Sequence, residues 1–316
     1  MKIFKKNKTP YVLIVSGPTG SGKSALSLKI AKEHSGEIIN ADMGQFYKPF
    51  TIGTAKPTPK EQAVVPHHLF DIIDQAKSLT VSEYRKLVLD KVNEVSQRNK
   101  LPILVGGSLF YLKSLLFPPT NFDVSNEDFD ESLQDDSLQN KNLSPWERLK
   151  IIDPKRAEEL HPNDLYRINR ALEIWEKTKV KPSDFKPKFS TDFNFHFLFL
   201  RPDPEELKKR IEKRTVEMIK GDESWIDEVE SIIGSDWEEF LQTKKLIGYP
   251  EIIDWIKKGA KEEELEKLIE KIQISTKQYA KRQRVFWQSF RRQLIENFVD
   301  SPVCYKFSEL IFWDDL

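Results

Sequence analysis

Apolar and polar positions along this chain change period several times, and each change predicts an element. Residues 11–15 form a continuous apolar run, and after a glycine-rich stretch Ala25, Leu26, Leu28, Ile30 and Ala31 recur at helical spacing. Residues 37–42 read as a second short strand ending in an acid. Residues 68–73 read as a third buried strand, and 101–105 as a fourth that runs into Gly106 and Gly107. Between the last two, Tyr84, Leu87, Val88, Val92 and Val95 mark a helix over 81–98, with Ser82 near its start as a cap. Another helix is expected over 109–116. Strands alternating with helices build a parallel α/β sheet.

The alternation stops at Phe117, Pro118 and Pro119. Helical patterns follow over 145–152, 154–160 and 164–177. At 195–200 an unbroken apolar run returns, the pattern of a strand buried on both faces. The rest is mostly helical, with a charged helix over 204–220 and a long one over 262–292. The expected architecture is therefore an α/β fold, a P-loop-containing parallel sheet flanked by helices. Residues 1–118 and 195–316 are expected to form its core, and 119–194 a mainly helical insertion domain. No internal repeat is present.

The chain has 316 residues, 39% hydrophobic and 32% charged, which is enough to pack a core. Cys304 is the only cysteine, so intrachain disulfides and cysteine-based zinc sites are excluded, and a reducing, cytoplasmic setting fits. No apolar run is long enough to span a bilayer, and the basic N-terminus shows no signal-type cleavage pattern. The net charge is zero but unevenly spread. Residues 121–136 carry acids and no Lys or Arg, whereas 271–295 carry Lys and Arg and no acids.

The strongest chemical signal is Gly17-Pro18-Thr19-Gly20-Ser21-Gly22-Lys23-Ser24, set between a strand and a helix. That is a phosphate-binding loop in the context it requires. Its glycines let backbone N–H groups turn inward toward phosphate oxygens, and the helix start adds its positive end. Lys23 supplies a point charge, and the Ser24 hydroxyl is placed to ligate Mg²⁺. The loop implies a di- or triphosphate without choosing one. Asp42 reads either as a loop acid or as a carboxylate that ligates metal or accepts a proton. Ser108 reads either as a helix cap or as a hydroxyl offered to the reacting center. All three segments follow strands, so they should share one cleft at the strands' carboxyl ends. His67 and His68 are adjacent on an extended segment and point opposite ways, which disfavors a metal pair. The cations of 277–292 are interleaved with Tyr279, Phe286, Trp287 and Phe290, a pattern open to nucleic-acid contact or to a solvated face.

Taken together, these segments resemble the tRNA dimethylallyltransferases. The matching blocks are the phosphate loop; Asp42 with Gln45 and Tyr47; Ile52-Gly53-Thr54-Ala55-Lys56-Pro57; Pro66-His67-His68-Leu69; and Val105-Gly106-Gly107-Ser108. Later blocks are His161-Pro162-Asn163-Asp164 with Arg167, Arg170-Ala171-Leu172-Glu173, Arg210 and Arg214, Ile247-Gly248-Tyr249, and Tyr279-Ala280-Lys281-Arg282-Gln283. The Ile-Gly-Thr-Ala-Lys-Pro and His-Pro-Asn-Asp strings are the specific ones. The resemblance implies that the phosphate loop holds the diphosphate of dimethylallyl diphosphate with Mg²⁺. It implies transfer of the prenyl group to N6 of the adenosine 3′ to the anticodon of tRNA.

The resemblance also implies roles. Asp42 is the base, Ser108 presents its hydroxyl to the reacting region, and Arg214, with Arg210 as the weaker match, neutralizes the diphosphate. Contacts to the tRNA anticodon stem-loop map onto Asp42, Met43, Gly44 and Gln45, and onto Tyr166, Arg167, Ile168, Asn169 and Arg170. They continue at Lys245, Gly248 and Tyr249, and at Lys277, Lys281, Arg282 and Arg284. Met43 stands where the family usually has Ser, Ser108 where it has Thr, and Pro250 where it has Lys or Arg. A monomer is expected. The competing readings are an adenylate isopentenyltransferase acting on a free nucleotide, a P-loop small-molecule kinase, and a non-catalytic RNA-binding module.

Overall fold

Five apolar runs and one late segment pair into a single parallel sheet. In the computed structural model the strands are β1 (Tyr11–Ser16), β2 (Gly36–Asn40), β3 (His67–His68), β4 (Leu101–Val105), β5 (Asn194–Leu200) and β6 (Tyr305–Leu310). Their order is β3-β2-β4-β1-β5-β6, and each neighboring pair is parallel. The structure describes residues 9–118, 143–184 and 188–297, and the backbone of Tyr305–Leu310. The acidic stretch 121–136 and Cys304 lie outside the described residues.

Central position explains composition. β1 lies between β4 and β5, and every residue after Tyr11 is buried. One face of the sheet packs Leu13, Val15, Ile103, Leu198 and Leu200 with Leu26 and Ala31 of α1 (Lys23–Glu33). The opposite face of β5 offers Phe197 and Phe199, which stack on Trp287 at centroid distances of 4.8 and 4.4 Å. Trp287 belongs to the long helix α12 (Leu265–Asn297). The helices between are α2 (Pro59–Gln62), α3 (Val81–Gln97), α4 (Leu109–Leu116), α5 (Pro145–Ile152), α6 (Pro154–Glu159), α7 (Leu165–Thr178), α8 (Pro204–Lys220), α9 (Trp225–Glu230), α10 (Asp236–Lys244) and α11 (Tyr249–Lys257).

The chain forms two compact units, Met1–Leu116 with Thr191–Leu316, and Phe117–Ser190. In the second unit α5, α6 and α7 close around Leu149, Ile152, Ala157, Leu160, Ile168, Ala171 and Leu172. Asp153 caps α6, accepting from the amides of Arg156 at 3.0 Å and Ser183 at 2.7 Å.

Three local expectations are corrected. α3 is capped by Thr80, not Ser82: the Thr80 side chain accepts from the Glu83 amide while Glu83 reaches back, a complete capping box. The strand expected over 68–73 stops after His68, because Leu69 (φ 64°) and Asp71 (φ 56°) turn into the left-handed region and break the extended run. Asp71 then pairs with the buried Lys56 at 2.5 Å. The sixth strand, β6, was not expected from the sequence; among the described residues it pairs with β5 at the end of the sheet order.

Candidate active site

β1 delivers the phosphate loop at its carboxyl end. Gly22 sits at φ 86°, a left-handed conformation that favors glycine, and this turn starts α1 at Lys23. The Lys23 ammonium donates to the carbonyls of Gly17 and Pro18 at 3.1 and 2.9 Å. Burial draws the Lys23 amine down to about 8; Asp42 opposes this and Arg214 adds to it. Burial likewise lowers Arg214, again against the pull of Asp42. Arg214 comes from α8 and donates from Nη2 to Thr19 Oγ1 at 2.5 Å. Two half-buried cations around one carboxylate leave positive charge that an anion would relieve. Arg210, the alternative, lies one turn away and pairs with Glu206 at 2.9 Å.

β2 delivers Asp42. Asn40, fully buried at the end of β2, accepts from the Asp42 amide at 2.8 Å and donates to the Leu69 carbonyl at 3.0 Å. Those bonds turn the chain so that Asp42 caps the short 3₁₀ helix Met43–Phe46. Asp42 Oδ2 also accepts from the Gly107 amide at 3.2 Å. β4 thus brings the Gly106-Gly107-Ser108 turn onto the same acid. A Cβ on Gly107 would lie 2.5 Å from Gln283 Nε2, 3.4 Å from Gly17 O and 3.5 Å from Asp42 Oδ2, so a larger residue would displace the Gln283 amide. Ser108 Oγ accepts from the Met43 amide at 3.1 Å. The Tyr279 side chain shares a hydrogen bond with Ser108; burial, and next the Asp42 charge, push its hydroxyl well above the usual tyrosine range. The three segments expected to meet do meet.

The oxygen donors suit a hard cation. Ser21 Oγ is buried without a hydrogen-bond partner, and Ser24, one turn on, is exposed at the start of α1. Mg²⁺ takes few protein ligands and completes its shell with phosphate oxygens and water, which this donor set fits.

The remaining sequence-predicted residues divide. Gln45 Nε2 donates to the carbonyls of Thr54 and Ala55 at 3.0 and 3.1 Å, so it secures the Ile52–Lys56 loop. Gly44 is buried against Thr54 and Leu246. Tyr249 is fully buried, its hydroxyl donating to Glu228 at 2.7 Å, and Gly248 is buried beside it. Ile168 is fully buried in the core of the second unit. Gly44, Ile168, Gly248 and Tyr249 are thus all buried within the protein. Tyr166 and Arg167 are exposed on α7, with Asn169 half-buried and Arg170 paired with Glu173 at 2.8 Å.

The basic helix α12 separates its cations into two grooves. Lys277, Lys281 and Arg284 line one of about 400 Å³ with Lys208, over Leu207, Ile211 and Ala280. Arg282 lines another of about 380 Å³ with Lys245, Ile247, Pro250 and Gln278. Lys277 is also held by Glu212 at 3.0 Å. The aromatic interleaving has a different cause from base contact: Trp287 and Phe290 are buried against Phe197 of β5.

Sequence reasoning missed three residues. Gln283, buried on α12, accepts from the Thr19 amide at 2.9 Å and donates to the Gly107 carbonyl at 2.9 Å. Glu228 accepts from the amides of Thr51, Ile52 and Gly53 at 2.7, 2.6 and 3.2 Å and so holds the Ile-Gly-Thr-Ala-Lys-Pro loop. Asn40 is the third. Gln283 ends the Tyr-Ala-Lys-Arg-Gln block, a signal that could have singled it out; Glu228 and Asn40 had none.

Comparison with known proteins agrees. The IPP transferase family profile matches residues 45–292. A tRNA dimethylallyltransferase from Alkaliphilus oremlandii is 34% identical over 310 residues, covering 96% of each chain. A eukaryotic dimethylallyltransferase crystallized acting on tRNA superposes with a TM-score of 0.76 at 27% identity, over 96% of this chain and 75% of that one. The full-length tRNA isopentenylpyrophosphate transferase of Bacillus halodurans gives 0.62 at 29% identity, over 98% and 93%. A profile spanning most of the chain, and a relative matched end to end, place this chain in the IPP transferase family, alongside the tRNA dimethylallyltransferases.

Proposed function

We propose that this protein transfers the dimethylallyl group of dimethylallyl diphosphate to N6 of the adenosine 3′ to the anticodon in tRNA. The observation that carries the reading is the meeting of a carboxylate, Asp42, with two half-buried cations, Lys23 and Arg214, at the carboxyl ends of β1, β2 and β4. The C–N bond forms at N6 as the C–O bond to diphosphate breaks. The N6 proton passes to Asp42, and diphosphate leaves with its growing charge met by Lys23, Arg214 and the loop amides. Ser108 holds the Met43 amide and so keeps the Asp42 turn in register. Ser24 would help hold Mg²⁺, which would supply further charge neutralization. The target base is unstacked to reach the acid.

RNA contact falls to the exposed cations of α12, to Lys245, and to Tyr166 and Arg167 of α7. Among the described residues no helix is long and apolar enough to cross a membrane, and a cytoplasmic monomer fits this reading. Radiolabeled dimethylallyl diphosphate with unmodified tRNA, AMP or ATP tests it. Label on tRNA is expected. Label on AMP or ATP alone would make the protein a free-nucleotide prenyltransferase, and phosphorylation without prenyl transfer would make it a kinase.

A further inference from the structure

Thr19 and Gly107 lie on loops from different strands, yet one amide side chain bonds to both. Gln283 Oε1 accepts from the Thr19 N–H at 2.9 Å, and its Nε2 donates to the Gly107 carbonyl at 2.9 Å. The partners fix the amide's orientation, because a backbone N–H only donates and a carbonyl only accepts. Gln283 is buried, 5% exposed, so water does not replace either bond. Each partner continues into the chemistry. Thr19 Oγ1 accepts from Arg214 at 2.5 Å, and the Gly107 amide donates to Asp42 at 3.2 Å. The result is an unbroken series: Arg214, Thr19, Gln283, Gly107, Asp42.

We propose that Gln283 is a positioning residue for prenyl transfer: it sets the gap between the loop that holds the departing diphosphate and the loop that holds the proton-accepting Asp42. The inference rests on the function proposed above. Transfer needs the nucleophile, the carbon and the leaving oxygen nearly in line, and the protein can enforce that only if its two loops keep one spacing. An error of about 1 Å in such a placement can cost ~10²-fold in rate. Gly107 fits the same purpose, since any larger residue there would strike the Gln283 amide at 2.5 Å. α12 also carries Lys281 and Arg284 on its outer side, so one helix both faces the proposed RNA groove and spaces the reacting groups.

Two substitutions test this. Gln283→Met keeps the length and loses both bonds; Gln283→Glu keeps the acceptor for Thr19 but sets an unprotonated oxygen against the Gly107 carbonyl. With the wild-type protein first shown to prenylate tRNA, single-turnover rates are measured at saturating substrates, with tRNA affinity measured separately. Gln283→Met is expected to slow transfer by ~10–10²-fold with tRNA affinity unchanged. Gln283→Glu is expected to be slow at neutral pH and to recover, relative to wild type, as pH falls, since its protonated carboxyl can again donate to Gly107. Taking the ratio to wild type sets aside the pH dependence that both proteins share, since Asp42, Lys23 and Tyr279 face the same site. Thermal melting of each variant checks folding. A Met variant at the wild-type rate, or a Glu variant whose ratio to wild type stays flat with pH, would overturn the proposal. A wild-type protein that makes no prenylated tRNA would overturn the functional reading itself.

Discussion

Lys23 is half-buried, and burial draws its amine down to about 8 from an ordinary 10.5. Diphosphate binds the charged form. In the ligand-free protein that form is lost as pH rises through about 8, so affinity for dimethylallyl diphosphate should fall above that pH, by up to about tenfold per unit. Binding titrations from neutral to alkaline pH measure this. Lys23→Ala should remove the Lys23-dependent part of the decline and weaken binding by about 2–4 kcal/mol, because a charge-assisted hydrogen bond to a desolvated phosphate disappears. Asp42 makes a different demand. Asp42→Asn keeps the shape and can still accept from the Gly107 amide, but cannot take a proton. Both substrates should bind normally while the single-turnover rate falls by about 10²–10⁴-fold. An undiminished rate would reduce Asp42 to the cap of its 3₁₀ turn.

Elements divide the labor that a list of motif residues merges. α12 places Gln283, Trp287, Phe290 and Leu294 inward, at helical spacing, and leaves Lys281 and Arg282 exposed. The charge run and the aromatic run therefore serve opposite faces. Lys277 differs from its neighbors because Glu212 already holds it. Neutralizing Lys277, Lys281 and Arg284 together should weaken tRNA binding and flatten its salt dependence, by about one log–log unit for each phosphate no longer neutralized. Lys277→Ala alone should contribute least, since its charge is partly answered within the protein. Diphosphate affinity is the control and should not move. An unaltered salt slope would shift the RNA surface to Arg167 and its neighbors on α7.

At the scale of the whole molecule, two buried carboxylates in different units tie stability to pH. Glu37 accepts from Arg98 and His68, both at 2.6 Å, at the sheet edge. Burial works against its charge, but those hydrogen bonds outweigh it and hold it below the usual glutamate value of 4.5. Asp153, 1% exposed, is likewise penalized by burial and held below 3.8 by the amides of Ser183 and Arg156. Both folded-state values lie below the unfolded ones, so the unfolded chain binds more protons at acid pH. Their contribution is complete above about pH 5 and is lost as pH falls through the folded-state values. Urea midpoints measured from pH 7 to 3 should therefore decline below about pH 4.5. Asp153→Asn should start lower at pH 7 and show a shallower decline.

What the sequence determined by itself was local in origin. A phosphate loop needs eight consecutive residues between a strand and a helix, and the helices over 145–152 and 204–220 carry their own periodicity and end signals, so their limits match the structure. The acid after β2 and the double glycine after β4 were legible for the same reason, and parallel strands bring such loops to one end of the sheet. The tertiary structure alone decided the rest. Gln283 lies 264 residues from Thr19 and 176 from Gly107, so no local pattern pairs them. Glu228 lies 177 residues from the Thr51 amide that it holds. Ile168 and Tyr249 sit inside motif blocks, yet packing buries both. A motif specifies which groups are present and in what order; which of them meet, and which face solvent, depends on burial and hydrogen bonding between segments far apart in the chain.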